Sequence, residues 1–182
     1  MIELRRLDPR GMDAVRDELA QLLADVVDHG ASVGFLAPLA PAEAVLYWES
    51  VRASVVSGTR LLLAAWLDGR LAGTVQLELC QRANGANRAE VQKLVVHSRA
   101  RRRGVAAALM RELEREALAL RRGLLYLDTE AGSGAEQLYR ALGYQRAGEL
   151  PQYACNTAGQ WCATALYFKT LFQRAAGDVG AG

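Results

Sequence analysis

Two histidines and three cysteines in 182 residues leave little material for a metal centre. The cysteines (Cys80, Cys155, Cys162) form neither a C-x-x-C pair nor an even set, so neither a structural zinc nor a disulfide framework is expected to organise the fold. Reduced thiols in a cytoplasm are the matching expectation. No apolar run reaches the roughly 18 residues that a membrane-spanning helix needs, and the opening MIELRRLDPRG contains no apolar signal core. A charge excess is missing too. The 22 basic and 20 acidic residues give a formal net charge of +2, so bulk electrostatics do not call for nucleic acid. Neither a repeat nor a linker divides the chain, and its length suits one domain with a substantial core, expected over 1–172. The end, AAGDVGAG, has nothing to bury, and disorder is expected over 173–182.

What is present is a succession of strand and helix signals. Residues 2–7 alternate as a strand, ended by Pro9, Arg10 and Gly11. Val15, Leu19, Leu22, Leu23, Val26 and Val27 recur at helical spacing and predict a helix over 13–29, stopped by Gly30. The loop 31–40 is apolar for a loop. Pro41 suits a first helical turn, and Val45, Trp48, Val51 and Val55 form the stripe of a helix over 42–57. Asp68-Gly69 predicts an antiparallel hairpin of 61–67 with 70–80. In its second strand Val75, Leu77 and Leu79 alternate with Thr74, Gln76 and Glu78, which predicts one packed and one polar face. A strand over 90–96, a helix over 104–120 and a buried strand over 124–128 imply a crossover and a parallel pair. Ser133-Gly134-Ala135-Glu136 reads as a capping box for a short helix over 134–142, and 144–150 and 163–171 read as two last strands. The class is α/β (α+β).

The most informative stretch is EVQKLVVHSRARRRGVAAALM, 90–110, in which a strand runs into a basic loop and then a helix opening on small residues. The first amides of a helix lack partners and carry partial positive charge, so a pyrophosphate can dock there against bare main chain. Gly104 and Ala106 keep side chains small at that place. The spacing Arg101-x-x-Gly104-x-Ala106 has neither the Lys-Ser/Thr of a Walker A loop nor the three glycines of a dinucleotide turn. The arginines read equally as a solvated or nucleic-acid-binding patch. Their position between strand and helix favours the phosphate reading, and no aromatics are interleaved for base stacking.

Strand, R-x-x-G-x-A and helix together resemble the acetyl-CoA-binding motif of the GNAT N-acetyltransferase superfamily. A narrower likeness runs from 30 to 171. GASVGF, NRAEVQKL, GLLYLDTEAGS, GELPQY and ALYFKTL are similar to the tabtoxin-resistance acetyltransferases, GNAT enzymes that acetylate a β-lactam toxin. The resemblance implies the GNAT acyl-CoA N-acyltransferase fold, a mixed, mostly antiparallel sheet of about seven strands with a splayed parallel central pair and about four flanking helices. It implies acetyl-CoA as cofactor, with Leu94, Val95 and Val96 bonding the pantetheine arm through their main chain. Arg101, Arg102, Arg103, Gly104, Val105 and Ala106 would hold the pyrophosphate, and Ser133 joins this cofactor set; no metal is expected. The two early helices would shape a pocket for a small-molecule amine or a toxin-like amino-acid derivative of the tabtoxinine-β-lactam kind. Nucleic acid and membrane are not expected partners, and a homodimer is left open. Three departures stand out: Ala106 replaces a more usual glycine, His97-Ser98 stands where proline often follows the strand, and Trp161-Cys162 replaces a polar loop.

In open α/β sheets ligands bind beyond the carboxyl ends of the parallel strands, here Val96 and Asp128. Direct attack on a thioester needs a neutral amine, so a group must take a proton from an ammonium of pKa about 10. Glu90, expected on one face with Gln92 and Leu94, and Asp128 are the candidates, and partial desolvation there would raise their pKa. Each also has a plainer reading, Glu90 as a polar residue at a strand edge and Asp128 as a turn or cap for 131–133. The likeness at NRAE and LDTEAGS favours the base role. Tyr139 fits a core stripe with Ala135, Leu138 and Leu142; the resemblance makes it the acid that protonates the departing thiolate. An N–H of Val95 or Val96 would stabilise the oxyanion, a kind of contribution worth about 3 kcal/mol. Cys80 is expected as a small buried residue and not as a nucleophile. Two rival functions use the same residues: a non-catalytic acetyl-CoA sensor, and a nucleic-acid-binding module on Arg99 to Arg103.

Overall fold

The computed structural model describes residues 1–175; from 176 onward the stretch expected to be disordered lies outside the described residues. Just before that limit, Arg174 donates to Asn87 Oδ1 at 2.9 Å and to the Arg121 carbonyl at 2.8 Å. In chain order the elements are β1 (Ile2–Leu7), α1 (Pro9–Ala14), α2 (Arg16–Asp28), α3 (Pro41–Val56), β2 (Arg60–Leu67), β3 (Arg70–Leu79), β4 (Arg88–Val96), α4 (Val105–Ala119), β5 (Leu124–Glu130), α5 (Ala135–Ala141), β6 (Gln145–Cys155) and β7 (Trp161–Thr170). One sheet holds the seven strands in the order β1-β2-β3-β4-β5-β7-β6. Every neighbouring pair is antiparallel except β4 and β5. Among the described residues no helix is long and apolar enough to cross a membrane.

The β2–β3 hairpin turns on Asp68 and Gly69, whose φ angles of 54° and 77° are both positive, as a tight turn matching strand twist requires. The helix expected over 13–29 is instead two helices. Asp8 caps α1, accepting from the Gly11 amide at 2.6 Å, and Pro9 fills the first helical turn. The Asp-Pro pair therefore starts a helix where it was expected only to end a strand. Val15, at φ −120° and ψ 23°, breaks the axis before α2 begins.

Both faces of the central sheet are covered. On one, α4 packs Leu109, Met110 and Leu113 against Leu77, Val91 and Leu125. On the other, α2 and α3 pack Leu19, Leu22, Val26, Trp48 and Val51 against Leu62, Ala64 and Val95. The polar face expected for β3 is thus buried as well, with Thr74 and Gln76 fully enclosed. Gln76 stays satisfied: it accepts from Arg60 at 2.9 Å and donates to the Tyr47 hydroxyl at 2.7 Å.

Within β4 the simple alternation of side chains fails. Gln92 faces Gln76 and Val95 faces Thr74, so Lys93 and Leu94 together oppose the single residue Val75. Lys93 takes φ 49°, in the left-handed region. This bulge reverses the faces beyond it. Leu94 packs with the α4 side, away from Glu90 and Gln92, and Val95 takes the place expected for it. Opposite the bulge the strands run so close that a Cβ on Gly73 would lie 2.5 Å from the Val95 carbonyl oxygen.

Two further expectations change near the end. Gly134, not Ser133, occupies the N-cap of α5, without a side-chain bond; Glu136 reaches back, but to the Gly132 amide at 2.7 Å. β6 continues through Pro151 and Gln152 (φ 49°), with its register interrupted between Leu150 and Ala154. The turn before β7 is therefore only 156–160.

Gly73→Ala is expected to cost about 1–3 kcal/mol in urea unfolding, because the strands must part to admit the methyl group. Gly134→Ala, at φ −62° with nothing within 4 Å of the added carbon, is expected to stay within about 0.5 kcal/mol of the parent.

Candidate active site

The parallel pair is short. Its rungs are Arg88 with Leu124, Ala89 with Leu125 and Glu90 with Tyr126, and none follows. Beyond that point β4 follows β3, while β5 stays with β7 from Leu127 to Glu130. The gap opens into a cavity of about 510 Å³, lined by residues 90–94 of β4, 128–130 of β5, the loop 30–34, Ser133, Tyr139 and Tyr153. Of the expected site residues it gathers Glu90, Asp128, Tyr139, Leu94 and Ser133. On β4 the lining ends at Leu94; Val95, Val96 and the turn 101–106 come later in the chain and outside it.

The two carboxylates are fixed by partners that sequence reasoning missed. The Tyr126 hydroxyl donates to Glu90 Oε2 at 3.2 Å, from the last rung of the pair. Thr164 of β7, buried, places its hydroxyl 2.9 Å from Asp128 Oδ2 and 2.9 Å from the Thr129 carbonyl. Glu90 is half-buried but Asp128 is exposed, so the desolvation expected at Asp128 is absent: the divergence that makes the cavity also admits water to that carboxylate. Tyr139, 6% exposed, meets Tyr144 edge-on at 5.8 Å. Burial first, and then the Asp128 charge, push its hydroxyl well above the ordinary tyrosine value. Ser133 Oγ lies 3.5 Å from Thr129 Oγ1. Its turn is held by the Glu136 carboxylate, which accepts from Gly132, Tyr167 and Arg140. The Tyr167 bond first and the Gly132 amide second hold that carboxyl below its usual range.

Lys93 supplies a cation to the lining. Its Nζ donates to the Val33 carbonyl at 2.6 Å and so ties the loop over the cavity mouth. Burial lowers its pKa below the ordinary lysine value against the attraction of Asp128. The apolar character of this loop now has a reason: Val33 and Phe35 pack on the α2–α3 core, and Phe35 meets the Tyr47 ring at 5.2 Å. A lysine inside VQKLVV was the available signal for a bulge.

At the expected phosphate site, Arg102 and Gly104 both have positive φ, 62° and 82°. A Cβ on Gly104 would meet nothing within 4 Å, so the glycine serves the backbone turn, not local space. The helix ladder begins with Ala108 N–H bonded to the Gly104 carbonyl at 3.0 Å, leaving the preceding amides outside it. Arg99 donates to the Leu71 carbonyl at 2.7 Å, and Arg103 pairs with Asp68 at 3.1 Å on the surface. Together with the unpaired edge of β4, this turn fits a ligand that has a pantetheine arm and a pyrophosphate. The entry to the turn is clamped by Asp25 of α2, a carboxylate among the apolar residues of that helix. It accepts from the Ser98 amide and hydroxyl, both at 2.7 Å, and lies 3.0 Å from His97 Nδ1.

Burial outweighs the neighbouring Asp25 charge and lowers the His97 pKa below 6.5. For Asp25 burial acts upward, and the Ser98 bonds more than offset it, so its pKa lies below 3.8. In both cases the unfolded chain takes up the proton at higher pH than the folded one, so stability is present above the ordinary value and lost as pH falls. The unfolding free energy is therefore expected to drop as pH falls below about 6.5. His97→Gln is expected to remove that first step, which denaturant titrations at a series of pH values would show.

The model of the acetyltransferase (GNAT) family matches residues 22–144. Among solved structures, an N-acetyltransferase from Staphylococcus aureus Mu50 superposes with a TM-score of 0.76 at 18% identity, covering 94% of this chain and 99% of that one. The protein yncA from Salmonella typhimurium, solved with its cofactor acetyl-CoA, gives a TM-score of 0.77 at 18% identity over 98% of each chain. A ribosomal-protein-alanine N-acetyltransferase from Brucella melitensis gives 0.74 at 21% identity, covering 93% of this chain and 99% of that one. At these identities the likeness to solved structures concerns the fold, and the family match covers most of the chain with the splayed strands and the turn at its centre: the chain belongs to the GNAT family of acetyltransferases.

Proposed function

We propose that this chain, acting as one domain over 1–172, is an acetyl-CoA-dependent N-acetyltransferase that acetylates a small-molecule amine by direct attack in a ternary complex. One observation carries this reading: two anchored carboxylates and a buried tyrosine converge on the cavity where β4 leaves β5. Bound acetyl-CoA would supply an activated acetyl group as a thioester. The main chain of Leu94, Val95 and Val96 would hold the pantetheine arm, the turn from Arg101 through Arg102, Arg103, Gly104 and Val105 to Ala106 the pyrophosphate, and Ser133 would flank the arm.

In the reaction one N–C bond forms, one C–S bond breaks, and the acceptor ammonium loses protons. Glu90 or Asp128 takes the first of these, the second ends on the departing sulfur so that coenzyme A leaves as the thiol, and the Tyr126 and Thr164 hydroxyls orient the two carboxylates. Tyr139 stays protonated at neutral pH. A phenol above pKa 10 delivers a proton uphill to a thiolate of about 8.5, so its role is to donate a hydrogen bond to sulfur as charge develops there. A toxin-like amino-acid derivative enters as an acceptor through the likeness at 30–35 and 123–133, stretches that supply part of the lining. Free Cys80, Cys155 and Cys162 fit a cytoplasmic enzyme.

In calorimetry, acetyl-CoA is expected to bind the parent protein, and the Arg103→Glu, Gly104→Asp double variant is expected to weaken that binding at least about tenfold. Whichever of Glu90→Gln and Asp128→Asn removes the base is expected to lower kcat about 10²- to 10⁴-fold at unchanged acetyl-CoA affinity. Binding of acetyl-CoA without thiol release from any amine would leave the sensor reading in its place.

A further inference from the structure

The lining of the cavity is unbalanced in charge. Among the described residues, Glu90, Asp128 and Glu130 line it with a single cation, Lys93. That ammonium is already engaged: it donates to the Val33 carbonyl at 2.6 Å, and Asp128 and Glu90 attract it. Arg60, the other cation whose charge reaches Lys93, is paired with Glu78 at 2.7 Å. Two aromatic rings stand beside the carboxylates. Tyr126 bonds Glu90, and Tyr153, half exposed and part of the lining, has its hydroxyl raised chiefly by the Asp128 charge, then by burial and Glu90. Rings beside carboxylates are a favourable setting for an organic cation. Tyr139 lines the same cavity, is more than nine-tenths buried, and makes no hydrogen bond through its hydroxyl among the described residues, so the cavity still has an unpartnered polar group to satisfy.

We propose that the acceptor is a dication of the diamine type, carrying a second ammonium group besides the amine that is acetylated. The inference rests on the acetyltransferase reading and narrows its substrate class. When one ammonium gives up its proton to Glu90 or Asp128, the other keeps its charge and needs a counter-charge within the cavity. Glu130, together with whichever carboxylate is not the base, provides it. An acceptor bearing a carboxylate meets three like charges instead, against the one lysine. This ranks diamines above amino acids, and so above a zwitterionic toxin.

The test compares short straight-chain diamines with monoamines and ω-amino acids of matched length, by thiol release at saturating acetyl-CoA. At the best length, kcat/KM for the diamine is expected to exceed that for the monoamine about tenfold, the effect of one charge-assisted contact, with the amino acid lowest. Glu130→Gln is expected to shrink the diamine-to-monoamine ratio. Diamines no better than monoamines at every length, or a ratio unmoved in Glu130→Gln, would overturn the proposal. Calorimetry of the same compounds with the protein saturated in coenzyme A separates the two readings. Selective diamine binding without turnover upholds the cation site while the transferase reading falls, and equal binding of diamine and monoamine sinks the cation site.

Discussion

Everything at the candidate site follows from the early end of one hydrogen-bonded ladder. Main-chain groups in a strand must find partners, yet after Glu90 β4 is paired only on its β3 side. The bulge at Lys93 bends the strand, and the bend leaves a main-chain edge facing the cavity. Holding a lysine in the left-handed region costs on the order of 1–2 kcal/mol. The β3 ladder and the Val33 bond hold it there, so the same residue that shapes the strand also fixes the loop over the cavity mouth.

The gap persists because its walls are braced from both sides of the sheet. α4 and the α2–α3 layer bury opposite faces of β3 and β4, and that packing leaves little freedom for β4 to swing back onto β5. Each wall then holds a candidate group through a partner that lies elsewhere: Glu90 through Tyr126, Asp128 through Thr164, the Ser133 turn through Glu136. Asp25 extends the same logic to the turn before α4, joining α2 to the expected phosphate site. The loop 30–34 and the turn before α4 therefore share a physical connection through α2, which ends at that loop and clamps Ser98.

Most of the fold was legible because it rests on strong local signals. Asp68-Gly69 allowed one kind of turn, and the strand, helix and strand from 90 to 128 left a parallel pair as the natural arrangement. What stayed illegible depended on partners far apart in sequence. Thr74 and Gln76 looked exposed because nothing local shows that α2 and α3 lie over them, or that Arg60 and Tyr47 satisfy the buried amide. Strict alternation placed Leu94 with Glu90, and one inserted residue reversed it. At the candidate site, Glu90 and Asp128 were legible from their places near the diverging strands, the family resemblance favoured them and supplied the acid role expected of Tyr139, and the structure lines one cavity with all three. The bonds from Tyr126 and Thr164 to these carboxylates were missed because a hydroxyl in a strand has meaning only once its neighbours across the sheet are known.

The most direct measurement of the central claim is amide hydrogen exchange with and without coenzyme A. If the unpaired edge of β4 and the turn before α4 form the cofactor slot, protection rises together in 91–96 and 101–107 and is unchanged in β1 and β2. Protection confined to other elements, or unchanged exchange along β4 at a saturating concentration of the ligand, would contradict the account.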